Sequence, residues 1–399
     1  MRRLDAATEA VLRYRWPEPW CWELVVRAVC DDMHDTWDAD HALLQAGPAV
    51  SAHADPIAAS LKTRLGVFAR ASAHEIQTLT LALAGMGDPR ALPGLRSLAQ
   101  GGPLPYGLRR PRILAALPAS ELLPLVLPDL RREPADYHGS TAALELLAGW
   151  GPDAAPALPE VVRHLDTPYA YDALRVLGGI GAPAVAAADR LAAFATGRDP
   201  HSGRHHPRRA AWAHWRVTGD PTLALDVCGV AVRSGTAAHG LPFLADLGPL
   251  AAAHTDTVRA LMKSPGAWTR VAAAHAYWRI TADAEPAVPV LLAEVDPDWA
   301  GRPAMPVREA VHRLGEIGAP AATAVPRLVR ILAQEERLSH PYERERILVD
   351  AAYVRTLTEA LERIAPGTAG SVPAAAPSKE LVPVSAPSAG PGFLRRWLR

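Results

Sequence analysis

A glycine followed within two residues by a proline recurs along this chain about every thirty-three residues. The copies are Gly87-Asp88-Pro89, Gly151-Pro152, Gly181-Ala182-Pro183, Gly219-Asp220-Pro221, Gly248-Pro249 and Gly318-Ala319-Pro320. A glycine just past a helix end accepts the backbone of a C-terminal cap, and a proline at the first position of the next helix loses no needed N–H. Each copy therefore reads as a helix-turn-helix corner. Two degenerate corners, Leu117-Pro118 and Ala282-Asp283-Ala284-Glu285-Pro286, fill the gaps and set anchors at 87, 118, 151, 181, 219, 248, 282 and 318. By subtraction the spacings run from 29 to 38 residues, the signature of a helical repeat array.

Aligned on these anchors, the repeats agree further. Four residues before the corner stand Leu83, Leu147, Leu177, Trp215, Leu244, Trp278 and Leu314, and one residue before it Met86, Trp150, Ile180, Thr218, Leu247, Thr281 and Ile317. Positions three apart share a helical face, so this pair of positions marks the stripe that faces the core. Small residues between them (Ala84, Ala148, Gly178, Ala245, Gly315) allow close helix approach. After each corner comes a Leu- or Val-rich helix, several with a proline in the first turns (Pro93, Pro159, Pro289, Pro326). Those helices are predicted to open on a loose or bent turn.

The pattern of Leu, Ile-Gly-Ala-Pro-Ala, then Val-Pro and a Leu-rich helix resembles HEAT-type repeats, more narrowly the short HEAT-like repeats first named from phycobilisome lyases. The resemblance covers roughly residues 75 to 335 and is strongest around Gly318. It implies an all-α α-solenoid, a right-handed superhelix of helical hairpins curved into a rod. It implies no reaction, because such repeats serve many functions.

The expected organisation is an N-terminal helical cap or small domain over residues 1–70, which lacks the corner, the repeat solenoid over 71–340, a closing helix over 341–366, a disordered linker over 367–392 and a tip over 393–399. A cap is what a solenoid needs over its first open core face. The linker is rich in Gly, Pro, Ala and Ser, with Lys379 and Glu380 its only charges, and cannot bury enough apolar surface to fold. The tip, Phe393, Leu394, Arg395, Arg396, Trp397, Leu398 and Arg399, combines apolar and basic residues. It is expected to dock on a membrane surface or a partner groove.

Forty-two basic and forty-two acidic residues cancel, which argues against a nucleic-acid partner, whose binding draws on neutralised phosphates. Three scattered cysteines, Cys21, Cys30 and Cys228, are no disulfide framework and suit a reducing cytoplasm. Neither a signal peptide nor a run of eighteen apolar residues is present.

Catalytic motifs fail on inspection. His74-Glu75-Ile76-Gln77-Thr78 places Thr78 where a zinc-protease helix needs its second histidine, and Gly179-Ile180-Gly181 is the repeat corner rather than a dinucleotide fingerprint. His34, Asp38 and His41 fall at helical offsets that suit a divalent metal, within a segment whose ten acidic and five basic residues over 1–60 read equally as a solvated face. The longest interval, between the anchors at 181 and 219, holds Arg198, His201, Arg204, His205, His206, Arg208 and Arg209 against Asp199 alone. Arginine forks in such a loop suit carboxylate or phosphate recognition, and a loop projecting from a solenoid is where its specificity lies.

Arg216 and Arg279, three before their corners, are expected to pair with carboxylates in a ladder, and Asp220 and Asp283, one after, to cap the following helix. The tryptophans on the stripe read as packing. The sequence thus reads as a non-catalytic protein-binding scaffold without cofactor, its partner another protein, its binding surface the concave face of the second helices plus the Arg/His loop. A chromophore-lyase-like enzyme or chaperone and a nucleic-acid-binding or repair protein of the HEAT-like type are the alternatives that the resemblance leaves open.

Overall fold

A computed structural model of the chain describes residues 2–31, 37–66, 72–100, 102–132, 137–199, 206–234, 239–301, 306–338 and 345–368. Residues 341–344 of the expected closing helix, the linker beyond Thr368 and the tip, Phe393 to Arg399, lie outside the described residues.

Helices alternate between two layers. The first half runs α1 (Arg2–Arg13), α2 (Pro19–Cys30), α3 (Trp37–Gln45), α4 (Ala54–Gly66), α5 (Ala73–Gly85), α6 (Leu92–Leu98), α7 (Pro111–Leu114), α8 (Ala119–Arg131), α9 (Tyr137–Trp150) and α10 (Leu158–Arg163). The second runs α11 (Ala170–Ile180), α12 (Ala188–Ala195), α13 (Pro207–Thr218), α14 (Thr222–Arg233), α15 (Leu241–Leu247), α16 (Thr255–Leu261), α17 (Ala267–Thr281), α18 (Ala287–Ala293), α19 (Val307–Ile317), α20 (Val325–Leu332) and α21 (Arg346–Ile364). Consecutive helices form antiparallel hairpins, the odd-numbered ones making the first layer and the even-numbered ones the second. The chain is an all-α, HEAT-like solenoid with one continuous apolar core from Leu4 to Ile364.

The corners show why glycine and proline recur. Gly181 has φ 72° and ψ −141°, a conformation that a Cβ all but forbids, and Gly248 and Gly318 repeat it. Gly219 instead adopts the left-handed helical conformation, φ 80° and ψ −9°. Between corner and second helix lies a 3-10 segment in several hairpins, Ala182–Ala187 and Ala319–Ala324 among them. It ends where the second proline falls, as at Pro159 and Pro326, so the loose turn read from those prolines is a 3-10 turn. The aspartates cap: the Asp220 carboxylate accepts from the Thr222 N–H at 3.0 Å, and that of Asp283 from the Glu285 N–H at 3.1 Å.

The first 70 residues carry a corner that the sequence reading passed over. Gly47-Pro48 has φ 52° and a 3-10 segment, Gly47–His53, joining α3 to α4. Without an Ile or Leu just before it, Gly47 did not align, yet it packs against the carbonyl of Gly85 as Gly87 packs against that of Ala116.

The layers are held differently. First-layer backbones touch: a Cβ on Gly315 of α19 would fall 2.7 Å from the Ala360 Cα of α21, and one on Gly178 would overlap the Trp212 indole. Second-layer helices are bridged by long side chains. Arg163 and His164 reach the Leu130 carbonyl, Arg190 that of Val162 and Arg327 those of Leu292 and Val295. The arginines thereby neutralise the carbonyl ends of preceding second-layer helices. A ladder of arginines onto carbonyls therefore runs through Arg163, Arg190 and Arg327, whereas pairing with carboxylates was expected at Arg216 and Arg279. Arg216 donates to the Gly178 carbonyl of the preceding first-layer helix at 3.4 Å, and the Arg216 and Arg279 guanidinium groups lie 5.8 and 5.9 Å from the half-buried Trp215 and Trp278 rings. The layer whose backbones touch lies inside the bend, so the first helices, not the second, form the concave face.

The bend closes. Tyr14 and Glu336 form an antiparallel bridge, with the Arg15 N–H donating to the Glu335 carbonyl and the Arg337 N–H to that of Arg13, both at 2.8 Å. Beneath it the fully buried Asp350 carboxylate accepts from Arg15 at 2.9 Å and Arg337 at 3.3 Å. The remaining guanidinium hydrogens reach the Ile331 and Val11 carbonyls. Burial pushes the Arg337 pKa down against the pull of Asp350. The curved rod thus closes on itself into a ring, because the N-terminal hairpin meets α20 and α21 through polar groups scattered in sequence.

Candidate functional site

The described residues of the Arg/His loop, Arg198, His206, Arg208 and Arg209, make separate contacts. His201, Arg204 and His205 lie outside the described residues. Arg198 donates to the Thr196 hydroxyl at 2.9 Å, and Asp199, taken as the loop's opposing charge, pairs with Arg190 at 3.4 Å. Arg208 turns toward the second layer, where it lines a groove of about 340 Å3 with Pro207, Asp226, Val227 and the exposed Val230.

Arg209 turns the other way. His206 precedes α13 at its N-cap position, and Pro207 starts that helix with its missing N–H at no cost. Two residues on, the Arg209 guanidinium lies 4.0 Å from the centroid of the Tyr171 ring and donates to the Tyr171 hydroxyl at 2.5 Å. It also approaches the Phe243 ring at 5.6 Å. The His206 ring meets Tyr171 edge-on at 4.8 Å. Burial lowers the Arg209 pKa, the nearby Arg175 charge adds to that, and the Arg209 Nε is buried without a hydrogen-bond partner. Tyr171 itself is 41% exposed.

The result is a cation laid on an exposed aromatic, with a second cation beside it and an unspent donor. Tyr171, Arg175 and Phe243 were missed in the sequence. Their signal is the repeat register: Tyr171, Arg209 and Arg308 each stand ten residues before the corner glycine of their hairpin, on the first turn of a concave helix. The other exposed aromatics of the first layer, Trp37 (53%) and Trp268 (51%), also fall at first-helix starts.

At α3, His34 lies outside the described residues, Asp38 is exposed, and the His41 ring meets Trp37 at 4.7 Å. Trp37 stacks on His74 at 5.4 Å, and His74 reaches Asp40 at 3.5 Å. Among the described residues no group of three or more His, Cys, Asp or Glu could hold a metal ion. All three cysteines are free, and burial pushes the Cys228 thiol up to about 12, which leaves it unreactive. No helix among the described residues is long and apolar enough to cross a membrane.

No protein-family model and no curated protein matches the sequence. Solved structures that it resembles include those of the karyopherin Kap121p. The complex with the SUMO protease Ulp1p is 12% identical with a TM-score of 0.40, over 91% of this chain and 49% of that one. The complex with Ste12p is 12% identical with a TM-score of 0.38, over 88% and 46%. This chain spans about half the length of the karyopherin chains it matches. The class that repeat, corner and layer define is a HEAT-like helical-repeat solenoid.

Proposed function

We propose that this chain is a non-catalytic protein-interaction scaffold that acts in the cytoplasm and grips a carboxylate-bearing segment of its partner on the concave, first-helix face. The observation that supports this reading is the cluster of Arg209, Arg175, His206 and Tyr171. It offers guanidinium forks and an exposed ring, the combination enriched at protein-binding hot spots. The cluster holds no nucleophile paired with a base, which leaves recognition as its chemistry. Three unpaired cysteines fit the reducing compartment.

The test is capture from the native host with the full chain and with an Arg175→Ala/Arg209→Ala variant whose helicity is matched by circular dichroism. A partner protein held by the parent and weakened about tenfold or more in the variant supports the reading, since a charge-assisted hydrogen bond contributes about 1.5 to 3 kcal/mol. Recovery of the same proteins in the same amounts by both would overturn it.

A further inference from the structure

The outer face of the ring holds a groove that the grip around Tyr171 leaves unused. Its volume is about 340 Å3, and it is lined by Val227, Val230 and Ala231 of α14 and by Pro207 and Arg208 from the start of α13. Among the described residues Val230, 58% exposed, is the one large apolar side chain of a second-layer helix that is exposed. Val227, Val230 and Ala231 stand at helical offsets of zero, three and four, the stripe on which a further helix packs. Asp226 also lines the groove. Neither Asp226 nor Arg208 forms an ion pair among the described residues, so the groove offers a carboxylate that no cation has taken.

Residues 393–399 carry the complementary set. Leu394, Trp397 and Leu398 fall at the same offsets of zero, three and four, and Arg395, Arg396 and Arg399 supply cations. Distance is no obstacle. The described chain ends at Thr368, just past α21, and α13 lies four hairpins back along the ring. At 8–10 Å between neighbouring helix axes that arc is about 40 Å, whereas residues 369–392 span at most about 80 Å when extended.

We propose that residues 393–399 dock in this groove of their own chain, as a short helix whose Leu394, Trp397 and Leu398 lie on Val227, Val230 and Ala231 with an arginine beside Asp226. Seven residues are too few to hold a helix alone, so the segment orders as it docks. The contact is small, but the tether presents it at an effective concentration of about 1 mM, which favours this occupant over one that must come from solution. The mode is that of an amphipathic helix in an apolar groove. It is independent of the scaffold reading, because it uses other residues on the opposite face.

The experiment is photo-crosslinking within the full chain, in a Cys30→Ser background that leaves only the buried Cys21 and Cys228 as native thiols. A benzophenone is attached at Ser234→Cys, an exposed position on the groove, and in a second sample at Val185→Cys, an exposed position away from it. Peptide mapping should find intramolecular links from position 234 to residues 393–399, about tenfold or more above those from position 185. Adding Leu394→Asp and Trp397→Asp should abolish the excess at 234 and leave the circular dichroism spectrum unchanged. Equal yields from 234 and 185, or an excess that survives the two aspartates, would overturn the proposal. Links from 234 to these residues only between molecules would overturn it in favour of a second copy. Equal yields, with sedimentation on anionic vesicles that the two aspartates remove, would overturn it in favour of a lipid surface.

Discussion

An interior interface such as α19 against α21 and the seam where α1 meets residues 331–350 close the same ring by opposite means. At the first, Gly315 lets two backbones touch and Leu314, Leu357 and Leu361 are fully buried. That contact is apolar and local in sequence, the kind that repeat arrays add unit by unit. At the seam, two arginines share one buried carboxylate and donate their remaining hydrogens to carbonyls. Burying such charges costs nearly what their attraction returns, so the seam specifies which ends meet more than it stabilises the meeting. Apolar repeats build the wall and a polar clasp shuts it.

The largest expected effect falls on the clasp. Asp350→Ala strands Arg15 and Arg337 without their counter-charge and should cost about 3 to 5 kcal/mol, read as a lower urea midpoint. A parallel loss of compactness in solution scattering should accompany it. On the wall, Leu147 is fully buried, and Leu147→Ala should cost about 2 to 5 kcal/mol through lost transfer energy and a residual cavity. That loss should leave the ring's dimensions unchanged, and a variant that opened the ring would erase the distinction between wall and clasp.

At the corners, Gly181→Val should cost about 1 to 3 kcal/mol by forcing a branched residue to φ 72°. Conversely, Ala282 carries φ 60° where the other corners of its kind place glycine. Ala282→Gly should stabilise by about 1 kcal/mol, and an unchanged denaturation midpoint would show that the corner is not strained.

The smallest effect concerns acid. Burial raises the Glu316 pKa, but hydrogen bonds and charge from His275 and Arg313 outweigh it and hold the carboxyl at about 2. Its folded pKa lies below the ordinary 4.5. Its contribution is therefore present above that value and lost as pH falls from about 4.5 towards 2. His275, lowered by burial, adds acid sensitivity that begins below its ordinary value near 6.5. Glu316→Gln should flatten the lower part of the stability-against-pH curve, measured by urea midpoints.

Much of this wall is legible in the sequence, because helix period and corner chemistry are local. Leu83, Leu147, Leu177, Leu244 and Leu314 are buried where the stripe places them, and Asp220 and Asp283 cap as their position implies. The closure was not legible. Arg15, Arg337 and Asp350 sit in unrelated local contexts, and only the summed curvature of ten hairpins brings them together. The cluster around Tyr171 was half legible: charge density pointed to Arg209 and His206, whereas Tyr171 and Arg175 lie one hairpin earlier. The carboxylate pairing expected of Arg216 and Arg279 is absent among the described residues: Arg216 donates to the Gly178 carbonyl, and both guanidinium groups lie near the adjacent Trp215 and Trp278 rings.

Closure of the ring is the claim on which the clasp depends. Tyr14 and Glu336 face each other as a non-hydrogen-bonded antiparallel pair, a geometry with Cα atoms about 4.5 Å apart, within disulfide reach. With Tyr14→Cys and Glu336→Cys together in the full chain, mild oxidation should give a monomer with an intramolecular 14–336 disulfide, identified by peptide mapping. A chain that stays reduced at these positions, or that links them only between molecules, would contradict the closed ring.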